Sequence, residues 1–243
     1  MTIGIVGGMG SYATLNFFER YLNLFVADKE WDRPRIVIDN RCTMPSRVRA
    51  ILYNEKWDEV VDELSDSIQH LMSFGCDRIV LACNTSHVFL EDVFKRIPEA
   101  RYTVVHIIDT LVNELSADKE LSKKEYALIA TEGTILSCIY QQYFEKYGLK
   151  ILIPGEETFS KLRNYIEAVK TNSYNDEVLE GFATFLKEQP SNNIILGCTE
   201  FPVIYDRMKQ WLGGAKLFGI DVYDPLESTL KVLHREFETT REL

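Results

Sequence analysis

Twice in this chain a short apolar run ends in a cysteine and gives way to small polar residues. The first is Ile79-Val80-Leu81-Ala82-Cys83-Asn84-Thr85-Ser86-His87; the second is Ile194-Ile195-Leu196-Gly197-Cys198-Thr199-Glu200-Phe201-Pro202. Short apolar runs bounded by turn signals read as strands buried on both faces, which belong to parallel sheets with helical crossovers. A residue at the carboxyl end of such a strand sits where open α/β sheets place their ligands. The repeat therefore predicts a thiol delivered twice into a turn that opens a helix.

The elements between the runs support an α/β reading. Ile3, Ile5 and Val6 form a first strand ending at Gly7-Gly8-Met9-Gly10. Ser11 is placed to cap the next helix, whose Leu15, Phe18, Leu22 and Phe25 recur at helical spacing. Ile36 to Asp39 is a second strand, and residues 40–47 read as a loop containing Pro45 and Arg47. Trp57 to Phe74 is an amphipathic helix ended by Gly75. After the Cys83 strand come a helix from Ser86 to about Arg96 and a strand over 103–108. A polar run at 116–125 then precedes a restart: a strand at 126–130, a helix from Thr134 to about Tyr147, and a strand at 149–153. Helices near 156–170 and 175–188, the Cys198 strand and a helix at 201–212 complete this half, before a strand at 216–220 and a last helix at 224–240. This order implies two α/β halves with mostly parallel sheets. The expected division is 1–110 plus 216–243 against 111–215, the closing segment packing back on the first half.

Composition bounds the function. With 243 residues, 46% hydrophobic and 26% charged, the chain is an ordinary globular protein of one or two domains. A net charge of -10 argues against nucleic-acid or anionic-membrane partners, but not against a small anionic substrate met by a few local cations. No apolar run approaches the ~20 residues of a membrane span, and the sequence opens directly on a strand with no signal peptide. Five scattered cysteines without a CxxC pair match reduced, cytoplasmic usage.

Two thiols on opposite sides of one carbon suit proton transfer between its faces, one as base and one as acid. A thiol's ordinary pKa of ~8.5 lies near neutrality and falls at helix starts. Each cysteine read alone is a small buried residue; the repetition is what argues for chemistry. Cys76 and Cys138 lack the context and read as structural, Cys138 inside an apolar helix, and Cys42 is undecided. Cys83 and His87 have a usable metal-ligand spacing, but no second cluster accompanies them, so no metal is expected and His87 serves to orient the turn. Gly8-Met9-Gly10-Ser11-Tyr12-Ala13 followed by Asp39 also fits a dinucleotide fingerprint. That gives an alternative reading as an NAD-dependent oxidoreductase, and the same glycine turn also reads as a tight-packing turn or as N–H groups lining a small anionic site.

These residues resemble the aspartate/glutamate racemase family in its aspartate-racemase branch. The resemblance is carried by Gly7-Gly8-Met9-Gly10 with Ala13-Thr14, by both cysteine motifs, and by Pro45-Ser46-Arg47, in which serine replaces the family's acid. Leu128 to Thr134 and Ile166 to Lys170 match in order and spacing. It covers essentially the whole chain. It implies two similar, pseudo-symmetric α/β domains with the active site in the cleft between them, usually as a homodimer. It also implies a cofactor-independent mechanism, without pyridoxal phosphate or metal, in which Cys83 and Cys198 exchange the α-proton of aspartate or glutamate. Met9, Arg47, Asn84, Thr85, Ser86, Thr131, Lys170, Thr199 and Glu200 would bind the substrate, Arg47 and Lys170 by gripping carboxylates. Glu200, where dedicated glutamate racemases tend to carry histidine, points to the broader branch. Related decarboxylases work with a single cysteine. A non-catalytic acidic-amino-acid-binding protein is the remaining alternative.

Overall fold

The computed structural model describes residues 1–214 and 219–241. Strand β1 (Thr2–Gly7) leads into α1 (Ser11–Leu24), β2 (Arg35–Asn40), α2 (Arg47–Tyr53) and α3 (Trp57–Ser73). Then come β3 (Arg78–Leu81), a 3₁₀ turn (Thr85–Phe89), α4 (Leu90–Arg96), β4 (Val104–Val105) and α5 (Ile107–Ala117). The second series is β5 (Glu125–Ala130), α6 (Glu132–Leu136), α7 (Ile139–Lys146), β6 (Lys150–Leu152), α8 (Phe159–Lys170) and α9 (Asp176–Lys187). It closes with β7 (Asn193–Gly197), α10 (Glu200–Trp211), β8 (Asp221–Tyr223) and α11 (Pro225–Arg241).

The strands form two parallel sheets, in the orders β2-β1-β3-β4 and β6-β5-β7-β8. The two orders are the same, which bears out two similar α/β units. In each sheet the chain first runs outward to one edge and then crosses to the other. The adjacent carboxyl ends of β1 and β3, and of β5 and β7, are therefore topological switch points, where a crevice opens for a ligand. Cys83 and Cys198 follow β3 and β7 directly.

Alternation along the strands sends Ile3, Ile5 and Val80 to one face of the first sheet and Val6, Ile79 and Leu81 to the other. The first set joins Leu128, Ile129 and Ile195 of the second sheet, with Leu111 of α5 and Leu230 of α11, in one core shared by both units. The second set packs under Leu64, Ile68 and Val93 in a smaller core.

Several local expectations change. Gly10, not Ser11, precedes the first turn of α1, and no side chain caps it. The buried face of α1 is Ala13, Thr14, Phe17 and Tyr21, while Leu15 and Leu22 are exposed. Of the expected set, Phe25 is buried and Phe18 packs partly buried against the core, so the buried face lies between two interleaved apolar sets. Arg47 does not lie in a loop but begins α2, which Ser46 caps through the Arg49 N–H. The helix expected from Thr134 to Tyr147 breaks at Cys138, an exposed residue at φ 58° rather than one inside an apolar helix. The strand at 103–108 shrinks to two residues, because His106 accepts the Asp109 N–H and starts α5.

The strand expected at 216–220 falls largely outside the described residues. The strand of the closing segment, Asp221–Tyr223, pairs with β7 and so belongs to the second sheet rather than the first. Its helix α11 packs on α5 and on α1. Among the described residues, no helix is long and apolar enough to cross a membrane.

Candidate active site

The two cysteine turns meet. Thr199 Oγ donates to the Ala82 carbonyl at 3.2 Å, joining the residue before Cys83 to the residue after Cys198. Both thiols are buried. The Cys83 turn is built from its own polar residues. Ser86 Oγ donates to the Cys83 carbonyl at 2.9 Å. His87 Nδ1 lies 2.9 Å from the same oxygen, and its Nε2 accepts the Ile107 N–H at 3.4 Å, which assigns the neutral tautomer with the proton on Nδ1. Burial pushes the His87 imidazole down to about 4. With both nitrogens engaged, His87 orients the turn as expected and is not free to bind a metal.

Thr85 extends across the junction. Its hydroxyl is 3.0 Å from that of Thr131 and 2.8 Å from that of Thr134, and these two are 2.9 Å apart. Thr131 also caps α6 through the Thr134 N–H. Asn84 Oδ1 accepts the Tyr140 hydroxyl at 2.6 Å, while Asn84 Nδ2 is buried with no partner. Sequence reasoning missed Tyr140, which lies on the buried face of α7 and gives no signal of its own.

Around Cys198 the charge is concentrated. Its thiol donates to Glu200 Oε2 at 2.9 Å. Burial and the neighbouring carboxyl push the Cys198 thiol well above its ordinary value. Burial likewise raises the Glu200 carboxyl, only partly opposed by Cys198, Lys170 and Arg47. Glu200 Oε1 is buried without a partner and lies 2.6 Å from where a Cβ on Gly10 would stand. The glycine turn is thus open so that a carboxyl from the second unit can approach it.

A cavity of about 260 Å³ lies at this contact, lined by Gly8 to Ala13 and Arg47 from the first unit and by Val169, Lys170 and Glu200 from the second. Drug-sized ligands occupy sites of ~300–1,000 Å³, so this one suits a smaller molecule. Arg47 Nη2 donates to the Met9 carbonyl at 2.9 Å and Nη1 to that of Pro45 at 2.9 Å. Its fork is therefore not free for a bidentate carboxylate; only the buried Nε–H is left without a partner. Lys170 pairs with Glu167 at 3.0 Å. Burial lowers its pKa, but Glu167, Glu200 and Cys198 outweigh that and raise it, so the ammonium is retained.

Of the candidate residues, Met9, Arg47, Lys170 and Glu200 line this cavity, and Cys198 is bound to one of them. Asn84, Thr85, Ser86, Thr131 and Thr199 instead hold the Cys83 turn and join the units. Asp39, the acid a dinucleotide ribose would need, accepts from Arg41 at 2.9 Å and from Ser67 at 2.6 Å. Neither cysteine lines the 260 Å³ cavity itself, Cys198 meeting it through Glu200; a cavity of about 490 Å³, lined by His87, His106, Tyr143 and Lys146, has no such link to either thiol.

A model of the Asp/Glu/Hydantoin racemase family matches residues 6–233, and the chain belongs to that family. Over 213 residues it is 25% identical to the broad specificity amino-acid racemase RacX of Bacillus subtilis, covering 85% of this chain and 88% of that protein. The solved structure of an aspartate racemase from Picrophilus torridus superposes with a TM-score of 0.77 at 26% identity, covering 98% of this chain and 94% of the other. A glutamate racemase from Campylobacter jejuni shares the fold, with a TM-score of 0.67 at 18% identity and coverage of 97% and 86%.

Proposed function

We propose that this protein interconverts the L and D forms of aspartate, glutamate or both, using Cys83 and Cys198 as the two proton-transferring groups without pyridoxal phosphate. The observation that carries the reading is the direct join of two buried cysteine turns, each at the switch point of its own sheet, beside a small cavity with cations. One thiolate takes the α-proton, the electron pair moves into the substrate α-carboxylate, and the opposite thiol returns a proton to the other face. A thiolate is a weak base for such a proton, so the enediolate needs fixed donors, each worth ~10²–10³ in rate where measured. The buried atoms left without partners supply a matching set. Arg47 Nε–H and Asn84 Nδ2–H suit carboxylates, and Glu200 Oε1 suits the α-ammonium; the Lys170 ammonium, paired with Glu167, adds a cation at the cavity wall. The similarity to an aspartate racemase and to a broad specificity racemase supports an acidic substrate with some tolerance. The working enzyme is proposed to be a cytoplasmic homodimer.

The test is incubation with each enantiomer of aspartate and glutamate in D₂O, following Cα deuteration by NMR. Exchange and racemisation of at least one pair, abolished by Cys83→Ser and by Cys198→Ser, is the expected result. No exchange with any of the four would refute the reaction, and full activity in either variant would refute the two-thiol assignment.

A further inference from the structure

The two thiols are served unequally. Cys198 has a carboxyl partner of its own, whereas no side chain among the described residues hydrogen-bonds the Cys83 sulfur. His87, the nearest basic group in its motif, gives both nitrogens to the backbone. Glu200 is 3% exposed and has no ion pair among the described residues. Lys170 of α8 faces it but pairs with Glu167, and Arg47 of α2 faces it with its fork on backbone carbonyls. Tyr174, before α9, and Tyr140 of α7 are the other titratable groups near the pair, together with Cys83 itself. A buried carboxyl this poorly compensated stays charged only at a cost.

We propose that Cys198 and Glu200 share one proton, so that Cys198 becomes a thiolate by passing its proton to Glu200 Oε2 rather than to solvent. In that step the S–H bond breaks and an O–H bond forms, the negative charge moves from carboxylate to sulfur, and the pair keeps a net charge of one. Full deprotonation would place two charges 2.9 Å apart in a buried site, and burial opposes both. The single-proton state is therefore the one held around neutrality, with the Glu200 backbone N–H favouring the thiolate form. The inference rests on the two-thiol reading for its role in turnover: the thiolate takes the substrate's α-proton while Glu200 holds its own. Glu200 Oε1 stays available throughout for the substrate ammonium. Of the two thiols, Glu200 holds the proton for Cys198 only.

A pair sharing one proton titrates with two apparent values, and between them its thiolate fraction does not change with pH. The experiment is the rate of Cys198 alkylation by iodoacetamide from pH 5 to 10 without substrate, read by peptide mass spectrometry. In the unaltered protein the rate reaches a plateau at neutral pH and climbs again only in alkali. In Glu200→Gln, whose amide cannot take the proton, it rises about tenfold per pH unit with no plateau. A wild-type profile without a plateau, or a plateau that survives in Glu200→Gln, overturns the proposal. The wild-type profile needs no variant to fold and no racemase activity, so its failure is distinct from failure of the proposed reaction. Where turnover is measured, Glu200→Gln lowers kcat by ~10²–10⁴, the range for loss of a proton-transfer partner, and also raises KM, since the amide offers the substrate ammonium no carboxyl oxygen.

Discussion

Replacing Arg20 by methionine should weaken the fold by an amount that depends on pH in a calculable way. Arg20, on α1, donates to Asp206 of α10 at 2.7 Å and to Asp224, ahead of α11, at 2.8 Å. It therefore clamps α1, which follows Gly10, against α10, which begins at Glu200. Asp224 is 4% exposed, and burial, outweighing Arg20, pushes its carboxyl up to about 6. A raised carboxyl contributes stability that is present at low pH and lost as pH rises through its folded value. With ~1.4 kcal/mol per pH unit and an unfolded value near 3.9, ionising Asp224 costs the wild-type fold about 3 kcal/mol at pH 7.5. Removing Arg20 raises the carboxyl further, and in the limit where it stays protonated at pH 7.5, holding that proton costs about 5 kcal/mol. The pH-dependent part of the loss is the difference, about 2 kcal/mol, and it vanishes at pH 5, where Asp224 is protonated in both proteins. Asp206 keeps Lys209 at 2.8 Å and is partly exposed, so its lost contact adds only about 1 kcal/mol at either pH. Urea unfolding should therefore give a loss of about 3 kcal/mol at pH 7.5 and about 1 kcal/mol at pH 5. Adding Asp224→Asn should bring the pH 7.5 value down to the pH 5 value. Equal losses at both pH values, or a larger one at pH 5, would refute this account of the clamp.

His87 acts with the opposite sign: its imidazole is held neutral to about 4, so stability falls as pH drops from 6.5 toward 4, by up to about 3 kcal/mol. His87→Gln should flatten that part of the acid limb in urea titrations, and an unchanged slope would exclude His87 as its source. Gly10→Ala would set a Cβ 2.6 Å from Glu200 Oε1, at the end of a side chain that can rotate away. It should leave the melting temperature within a few degrees while lowering racemase kcat/KM about tenfold or more, because the rotation takes Oε2 off Cys198; full activity would show that the Gly10 contact does not set the pair.

Much of this was readable from residue pattern because buried parallel strands write themselves as short apolar runs. Ile79 to Leu81 and Ile194 to Leu196 are such runs, and both cysteines fall where the pattern places them. The failures have equally local causes. α2 spans seven residues, too few for helical periodicity to show beside Pro45. On α1, Leu15, Phe18 and Leu22 recur at three- and four-residue steps, as do Thr14, Phe17 and Tyr21, so period alone cannot choose the buried face. β8 has three residues, and its partner is decided by the fold rather than by its own sequence. The Thr85–Thr131–Thr134 cluster joins residues 46 or more positions apart, which no local signal announces. The Cys198–Glu200 contact was within reach. A side chain at the start of a helix leans back toward the N-terminus, which sends Glu200 onto the sulfur two residues before it.

The two units repeat their strand order, yet the surroundings of the two thiols do not repeat. One turn holds its cysteine with Ser86, His87 and a threonine cluster; the other sets its cysteine against a buried carboxyl. The proposed reaction does not require the thiols to match. The two enantiomers have equal free energy in water, so kcat/KM must be the same in both directions whatever each step looks like. Asymmetry can then sit in the individual steps, where one thiol draws on an internal proton store and the other has no such side-chain partner among the described residues. The enantiomer whose α-proton faces Cys198 would exchange that proton by a route that Glu200 sets, and its mirror image by a route that Glu200 does not. Pseudo-symmetry of the sheets thus brings two cysteine turns together, and in the proposed reaction the residues after each cysteine decide how each one works.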